Sequence, residues 1–100
     1  MHPKREHKRV SIDAPIQFER AGGEASVGLA KDISMGGMYI EAEVDSLPEF
    51  GSKLTIVGNL GGMDMKLPCV VRWVNPEGFG VQFGLLGARE THTIARLLKG

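Results

Sequence analysis

Cationic side chains that could bind an anion are clustered near the start of the chain. Arg5 and Arg9 are four positions apart, Lys4 and Lys8 precede them, and Glu6 is the only acid among the first nine residues. The formal net charge of the whole chain is zero, so this basic segment indicates a local anionic partner and not a surface that is basic throughout. From charge alone, a solvated terminal segment without a partner is the other interpretation.

A second polar cluster lies at 32–37, with the sequence Asp-Ile-Ser-Met-Gly-Gly. Its serine, Ser34, faintly resembles the nucleophile of an esterase turn, but Asp32 stands where the leading glycine would be. A hydroxyl nucleophile also needs an adjacent base, and the only histidine within the predicted fold is His92, on the tail. We therefore expect no catalytic serine. A local turn closed by the side chains of Asp32 and Ser34, or a hairpin turn at the two glycines, stays possible.

Other catalytic and metal-binding chemistry is also unsupported. The three histidines lack metal-ligand spacing, and Cys69 is the only cysteine, which excludes an internal disulfide and a thiolate zinc cluster. Cys69 is expected to be a small buried apolar residue. The glycines within 58–62 lie between two predicted strands, so they indicate a hairpin and not a dinucleotide loop. We expect no enzyme activity, no metal and no cofactor.

The elements that must position these residues are mostly strands. Apolar and polar residues alternate from Ala14 to Gly84, which is typical of half-buried strands. Six alternating segments are separated by turn signals, and they are centred on Ile16 and Phe18, Val27 and Leu29, Met38 to Ala42, Leu54 and Ile56, Met65 to Val74, and Phe79 to Phe83. Six short strands at this spacing predict a small antiparallel β-barrel, and glycines within strands fit the bends of a closed barrel.

The end of the chain changes period. Leu86, Ile94, Leu97 and Leu98 fall on one helical face, which predicts a helix from Ala88 to Lys99 that must dock on the barrel or on a partner. The chain is therefore predicted to be one mainly β domain over 1–100. It has a flexible basic arm at 1–12, a barrel at 13–85 and a C-terminal helical segment at 87–99.

Composition sets the general class of protein. The chain has 100 residues, of which 42% are hydrophobic and 24% charged, an ordinary balance for a globular domain. No apolar run approaches the roughly 20 residues of a membrane span and no signal peptide opens the chain, so a cytoplasmic location without membrane insertion is expected. Zero net charge argues against a general nucleic-acid binder.

Taken together, the two polar clusters resemble the motif of the PilZ domain family, an RxxxR segment followed by D/N-x-S-x-x-G. Arg5 and Arg9 fill the first part, and Asp32, Ser34 and Gly37 fill the second, with about two dozen residues between them. The later segment 78–83 is similar to the last strand of that family. The resemblance spans nearly the whole chain and implies a six-stranded split barrel with a C-terminal helix.

The resemblance also implies a ligand, cyclic di-GMP. Its phosphodiesters are anionic, and a guanidinium can bind phosphate, fork onto guanine O6 and N7, or stack on the base, which suits Arg5 and Arg9. Asp32 is the natural acceptor for guanine N1–H and N2–H₂, and Ser34 can donate and accept. The glycines at 36–37 let backbone approach the ligand closely.

Trp73 has two open interpretations. Strict alternation from Met65 would turn it into the core, whereas Pro68, or a bulge near it, would reverse that parity. Facing outward, it matches the place where relatives are expected to carry an aromatic that stacks on guanine. Arg72 would be exposed if Trp73 faced inward, and would then be a further phosphate contact.

These features predict a stand-alone cyclic di-GMP receptor that signals by ordering its N-terminal arm. The family implies that a separate protein of a motility, adhesion or polysaccharide pathway reads the ordered face, and no DNA partner is expected. One alternative is a PilZ adaptor whose partner binding does not depend on nucleotide. A less favoured alternative is a small barrel that binds single-stranded nucleic acid, which would need a basic groove with several exposed aromatics.

Overall fold

Six antiparallel strands close into a barrel in the order β1-β2-β3-β6-β5-β4 in this computed structural model, which describes residues 8–99. The strands and the single α-helix are β1 Arg9–Arg20, β2 Ala25–Ser34, β3 Gly37–Glu41, β4 Lys53–Leu60, β5 Met63–Asn75, β6 Gly78–Phe83 and α1 Ala88–Lys99. A single 3₁₀ turn, Val44–Ser46, lies between β3 and β4. The predicted mainly β fold with a C-terminal helix is confirmed.

The inward side chains of the strands form one core. Phe18 and Phe79 are fully buried and pack edge to face with ring centroids 4.9 Å apart, an arrangement that aromatic pairs prefer. The predicted inward alternation is confirmed in most strands but is wrong in β2, where Val27 is 70% exposed and Ala30 is buried. A side chain at Gly28 would collide with Ile40. Residues of the neighbouring strands fill this part of the core, so β2 turns its small residues inward.

The first strand begins earlier than the predicted barrel boundary at 13. Arg9, Val10 and Ser11 pair with β2, and Val10 and Ile12 pack against the core. Residues 9–12 of the predicted arm therefore belong to the barrel, because two apolar side chains attach them to it. The remaining arm residues 1–7, on which the prediction of flexibility falls, lie outside the described residues.

One irregularity interrupts the pairing of the first two strands. The pairing of β1 with β2 shifts between Ser11 and Ala14, where Asp13 adopts a φ of 53°, a left-handed conformation that is uncommon for residues other than glycine. The carboxylate of Asp13 lies 2.6 Å from the ammonium of Lys31. The hydrogen bond and the charge of Asp13 raise the pKa of Lys31.

The β4–β5 hairpin is tighter than predicted. Its turn consists of Gly61 and Gly62, both with positive φ, whereas 58–60 continue β4 and Leu60 is buried opposite Met63. The apolar contact of Leu60 with the core extends the strand through the glycine-rich segment.

The helix α1 begins and ends at the predicted residues. It docks on the barrel through Ile94 and Leu98, which are buried, while the hydroxyl of Thr93 donates to the carbonyl of Arg89 at 2.9 Å. Within residues 8–99, no helix has the length and apolar character needed to cross a membrane.

Candidate functional site

A row of paired residues crosses five strands on the outer face of the barrel. Ser11 on β1 pairs with Asp32 on β2, Asp32 pairs with Tyr39 on β3, Tyr39 pairs with Gly80 on β6, and Gly80 pairs with Trp73 on β5. We call this row and its neighbours Arg9, Arg72 and Gln82 the outer binding face. Because paired residues of adjacent strands point to the same side of a sheet, the row gathers a carboxylate and two aromatic rings on one surface.

Arg9 and Asp32 form the polar part of this face. The guanidinium of Arg9 donates to Oδ1 of Asp32 at 2.5 Å, with their side chains 50% and 26% exposed. The same carboxylate oxygen accepts a 3.3 Å hydrogen bond from the backbone N–H of Tyr39. The carboxylate is thus fixed in place from two sides, while the guanidinium keeps donors open to solvent.

Ser34 and the glycines after it form a tight turn between β2 and β3. Ser34 is 2% exposed, and its hydroxyl accepts from the N–H of Gly36 at 3.3 Å and donates to the carbonyl of Gly37 at 3.4 Å. A side chain at Gly37 would overlap the backbone carbonyl of Val81. In this structure, Ser34 and Gly37 therefore shape the turn that presents Asp32. Direct contact of Ser34, Gly36 and Gly37 with a ligand stays a prediction.

Trp73 lies on the outer face, so its interpretation as a core residue is wrong. The pairing of β5 with β6 shifts between Val71 and Trp73, and this one-residue bulge reverses the alternation that strict pairing would give. Trp73 is 48% exposed, and its indole stacks on the ring of Tyr39 with centroids 5.2 Å apart and planes 11° apart.

Two glycines of β6 make room for the aromatic pair. A side chain at Gly80 would collide with the indole of Trp73, and one at Gly78 would collide with the ring of Tyr39 and the backbone carbonyl of Ile40. Each ring therefore rests against a strand position without a side chain. The segment Gly78-Phe79-Gly80 places Phe79 in the core while its two glycines seat the rings outside.

Arg72 is also exposed, and its guanidinium Nε donates to Oε1 of Gln82 at 2.7 Å. The sequence predicted exposure of Arg72 only with Trp73 facing inward. The bulge turns both residues outward, so a second guanidinium borders the aromatic pair.

The structure brings Arg9, Asp32 and Trp73 to one face, and it adds three residues that sequence reasoning missed, namely Tyr39, Gly80 and Gln82. The available signal was Tyr39, an aromatic on the outward parity of β3 between the buried Met38 and Ile40. Arg5 lies outside the described residues.

The described residues offer neither a metal-binding cluster nor a reactive thiol. Within residues 8–99, no group of three or more histidine, cysteine, aspartate or glutamate side chains is arranged to hold a metal ion. Cys69 is buried as predicted, and its burial raises the pKa of the thiol to about 12. A thiol with this pKa stays protonated and is a poor nucleophile at neutral pH.

Guanidinium groups, a fixed carboxylate and flat aromatic surfaces suit a planar ligand that carries negative charge. The chain is thus a small closed β-barrel with a docked C-terminal helix and an external face that carries these polar and aromatic groups. The family model of the PilZ domain matches residues 3–100, so the chain belongs to the PilZ domain family. A comparison with curated protein sequences finds no match.

Solved structures share this fold at low sequence identity. The PilZ domain of CeSA from a cellulose-synthesizing bacterium is 19% identical with a TM-score of 0.75, over 92% of this chain and 95% of that one. The Bacillus subtilis inhibitor of motility MotI/DgrA is 17% identical with a TM-score of 0.77, over 98% of this chain and 50% of that one. Escherichia coli YcgR in complex with c-di-GMP is 14% identical with a TM-score of 0.75, over 96% of this chain and 45% of that one. The chain thus spans about half the length of the latter two proteins.

Proposed function

We propose that this PilZ domain is a receptor for cyclic di-GMP and that the ligand binds on the outer binding face. The observation that carries the proposal is the convergence of Arg9, Asp32 and the Tyr39–Trp73 pair on that face, joined by one cross-strand row. The family membership supports it, as do the structures of YcgR and of Borreliella burgdorferi PlzA, both described in complex with c-di-GMP.

Each group has a distinct task in this proposal. Arg9, together with Arg5, supplies charge-assisted hydrogen bonds to a phosphate or to the O6 and N7 edge of guanine. Asp32 accepts from guanine N1–H and N2–H₂, the opposite edge of the base. The exposed indole of Trp73 stacks on a guanine ring, and the backbone of 36–37 lies close to the ligand. None of these tasks requires a catalytic group, a metal or a further cofactor.

The ion pair between Arg9 and Asp32 must be shared or opened when the ligand binds. A guanine base presents acceptors at O6 and N7 and donors at N1–H and N2–H₂, so it can replace each partner of the pair with a matching group. Binding therefore exchanges an internal contact for two contacts to one base. This exchange discriminates guanine from adenine, because adenine offers a donor where Arg9 requires an acceptor.

The proposed output is a change at the N-terminal segment. Two arginines that bind one ligand attach the RxxxR segment to the barrel, and a separate protein reads the resulting surface. Partners in motility or polysaccharide production fit the relatives, since MotI/DgrA is described as an inhibitor of motility and CeSA comes from a cellulose-synthesizing bacterium.

Titration calorimetry of the full chain with cyclic di-GMP tests the receptor function, with cyclic di-AMP as the base control. We expect saturable binding of the guanine ligand and at least tenfold weaker binding of the adenine ligand, a difference of about 1.4 kcal/mol. Equal affinities for the two ligands would show that Asp32 does not recognise the base. Absence of heat and of any spectral change with cyclic di-GMP would contradict the receptor function.

A second function is favoured by one observation. Arg9 and Asp32 form an ion pair with each other, and Ser34 is hydrogen-bonded within its own turn, so these motif residues also stabilise the surface itself. This supports a PilZ adaptor whose partner binding does not depend on nucleotide. The calorimetric titration separates the two functions, because only the receptor responds to cyclic di-GMP.

A further inference from the structure

A groove of about 720 Å³ lies on the barrel surface beyond the end of β3, next to the outer binding face but outside it. Its lining combines exposed apolar side chains with carboxylates. The principal residues are Val27, Val44 and Pro76 on the apolar side and Glu41, Glu43 and Glu77 on the acidic side.

Two apolar residues of the groove are largely exposed. Val27 is 70% exposed and Val44 is 63% exposed. Val27 faces outward because Gly28 and Ala30 fill the inward positions of β2, so its exposure follows from the packing of the core. The fold itself leaves these two apolar side chains of one groove in contact with solvent, where an apolar partner side chain can cover them.

The charge of the groove is negative and local. The chain as a whole has a formal net charge of zero, yet three carboxylates line this groove. The ion pairs found within residues 8–99 join Arg9 to Asp32 and Lys31 to Asp13, so neither uses a glutamate of the groove. The nearby ammonium of Lys31 is held by Asp13 at 2.6 Å. The groove therefore favours a cationic occupant.

We propose that this groove docks a basic segment of a partner protein, in which lysine or arginine side chains alternate with apolar ones. The apolar side chains cover Val27 and Val44, and the cations reach Glu41, Glu43 and Glu77. The proposal uses no residue of the outer binding face and does not depend on nucleotide binding. Glu41 is two positions after Tyr39 on β3, so a docked segment lies beside the aromatic pair.

A peptide titration followed by amide NMR of the full chain tests the proposal. The probe is a capped seven-residue peptide that alternates lysine with leucine. The comparators alternate lysine with serine and glutamate with leucine. We expect the amides of Val27, Val44 and Glu77 to shift, and the lysine–leucine peptide to bind about tenfold more tightly than either comparator. Equal binding of a comparator, shifts outside the groove, or no binding of the probe would overturn the proposal.

Charge-reversal variants supply the matched control. We expect Glu43→Lys and Glu77→Lys each to weaken the probe about fivefold or more, because each removes a carboxylate and adds a repulsion. Glu49→Lys changes an exposed acid outside the groove and is expected to leave the affinity unchanged. Thermal unfolding shows whether each variant is folded. Equal effects of all three substitutions would mean that only the overall charge matters, and the groove assignment would be wrong.

A second copy of the chain is the competing occupant. In that case the amides of Val27 and Val44 would shift with protein concentration in the absence of peptide. Sedimentation would show a dimer that dissociates in the Glu43→Lys variant. That result would overturn the assignment to a partner protein. Concentration-independent spectra with specific binding of the probe support it.

Discussion

Arg9 and Asp32 form an ion pair of 2.5 Å although 23 positions separate them along the chain. Pairing of β1 with β2 brings them together, since Arg9 lies opposite Ser34 and Ser11 lies opposite Asp32. The two parts of the family motif therefore meet through Arg9 and Asp32. Because both side chains are partly exposed, this pair contributes about 1 kcal/mol or less to stability.

Arg9→Ala is expected to weaken cyclic di-GMP binding by about 2 kcal/mol or more, because a charge-assisted hydrogen bond is lost. The free energy of unfolding should change by about 1 kcal/mol at most. Calorimetry and urea unfolding measure the two effects. Arg96→Ala, which removes an exposed arginine of α1, is the control and should bind normally. Arg5→Ala should resemble Arg9→Ala, and wild-type affinity in both would contradict the site.

Asp32→Ala is expected to weaken cyclic di-GMP while leaving sulfate binding equal or stronger. The substitution removes the acceptor for the guanine edge, and it also frees the guanidinium of Arg9 for a simple anion. Competition titrations with the two ligands measure the difference. Parallel losses for both ligands would show that Asp32 does not read the base.

Gly80→Ala is expected to move Trp73 and to lower ligand affinity without unfolding the barrel. The added methyl group would collide with the indole, a side chain on the exposed face that can rotate away. Trp73 is the only tryptophan of the chain, so its fluorescence reports both the displacement and the binding of a stacked base. Trp73→Ala should cost about 1–3 kcal/mol of affinity.

Gly22 provides the matched control, because a side chain added there would meet nothing within 4 Å. Gly22→Ala should leave fluorescence and affinity unchanged. Gly37→Ala should instead destabilise the fold, since its methyl group would meet the backbone carbonyl of Val81. If Gly80→Ala behaved like Gly22→Ala, the seating of Trp73 on Gly80 would be wrong.

The sequence was sufficient for the parts of the fold that follow a regular period. Alternation identified Phe18 and Phe79 as core residues, and the helical period identified the bounds of α1. It failed at positions where one residue changes the parity or where the opposite strands decide the packing. For Trp73 the alternation leaves both orientations open, and the register shift after Val71 decides for the outward one. Val27 faces outward because Ile40 fills the space beside Gly28.

The candidate site could be predicted only in part from the sequence, for the same reason. The motif resemblance pointed to Arg9 and Asp32, whose side chains depend on strand pairing. The aromatic pair could not be predicted, because the contact of Tyr39 with Trp73 requires the β5 bulge and the absence of a side chain at Gly80. A turn at 34–37 is one of the alternatives that the sequence allows, but only the structure shows that the hydroxyl of Ser34 makes its hydrogen bonds within that turn.

Hydrogen exchange is expected to divide the N-terminal region at Arg9. Residues 10–12 belong to β1 and should be protected without ligand, because Val10 and Ser11 pair with β2. With cyclic di-GMP, protection should rise before Arg9 and around 32–37. Exchange measured with and without the nucleotide checks this. An unchanged pattern on saturation would exclude ordering of the N-terminal segment even if binding is real.

Cys69 is expected to make the fold sensitive to alkaline pH. Burial raises the pKa of its thiol from 9.0 to about 12, so the unfolded chain loses this proton at a lower pH than the folded chain. The contribution to stability is present below pH 9.0 and is lost as the pH rises towards about 12. Compared with Cys69→Ala, the wild type should lose up to about 1.4 kcal/mol more per pH unit in this range. Parallel alkaline profiles of the two proteins would show that the thiol is not the cause.

The bulge between Val71 and Trp73 makes the orientation of the indole depend on the number of residues in β5 and β6, and not only on their composition. Arg72 is the extra residue, so removing it would leave Trp73 opposite Gly80 and facing outward. Inserting one residue into β6 opposite Arg72 would instead restore strict alternation from Val71, turning the indole towards the core and leaving the surface without its largest ring. In related chains, one residue gained in β6 at this point would therefore turn the aromatic surface into an ordinary barrel exterior, with every aromatic residue still in place. Alignments that score only residue identity would overlook such a change.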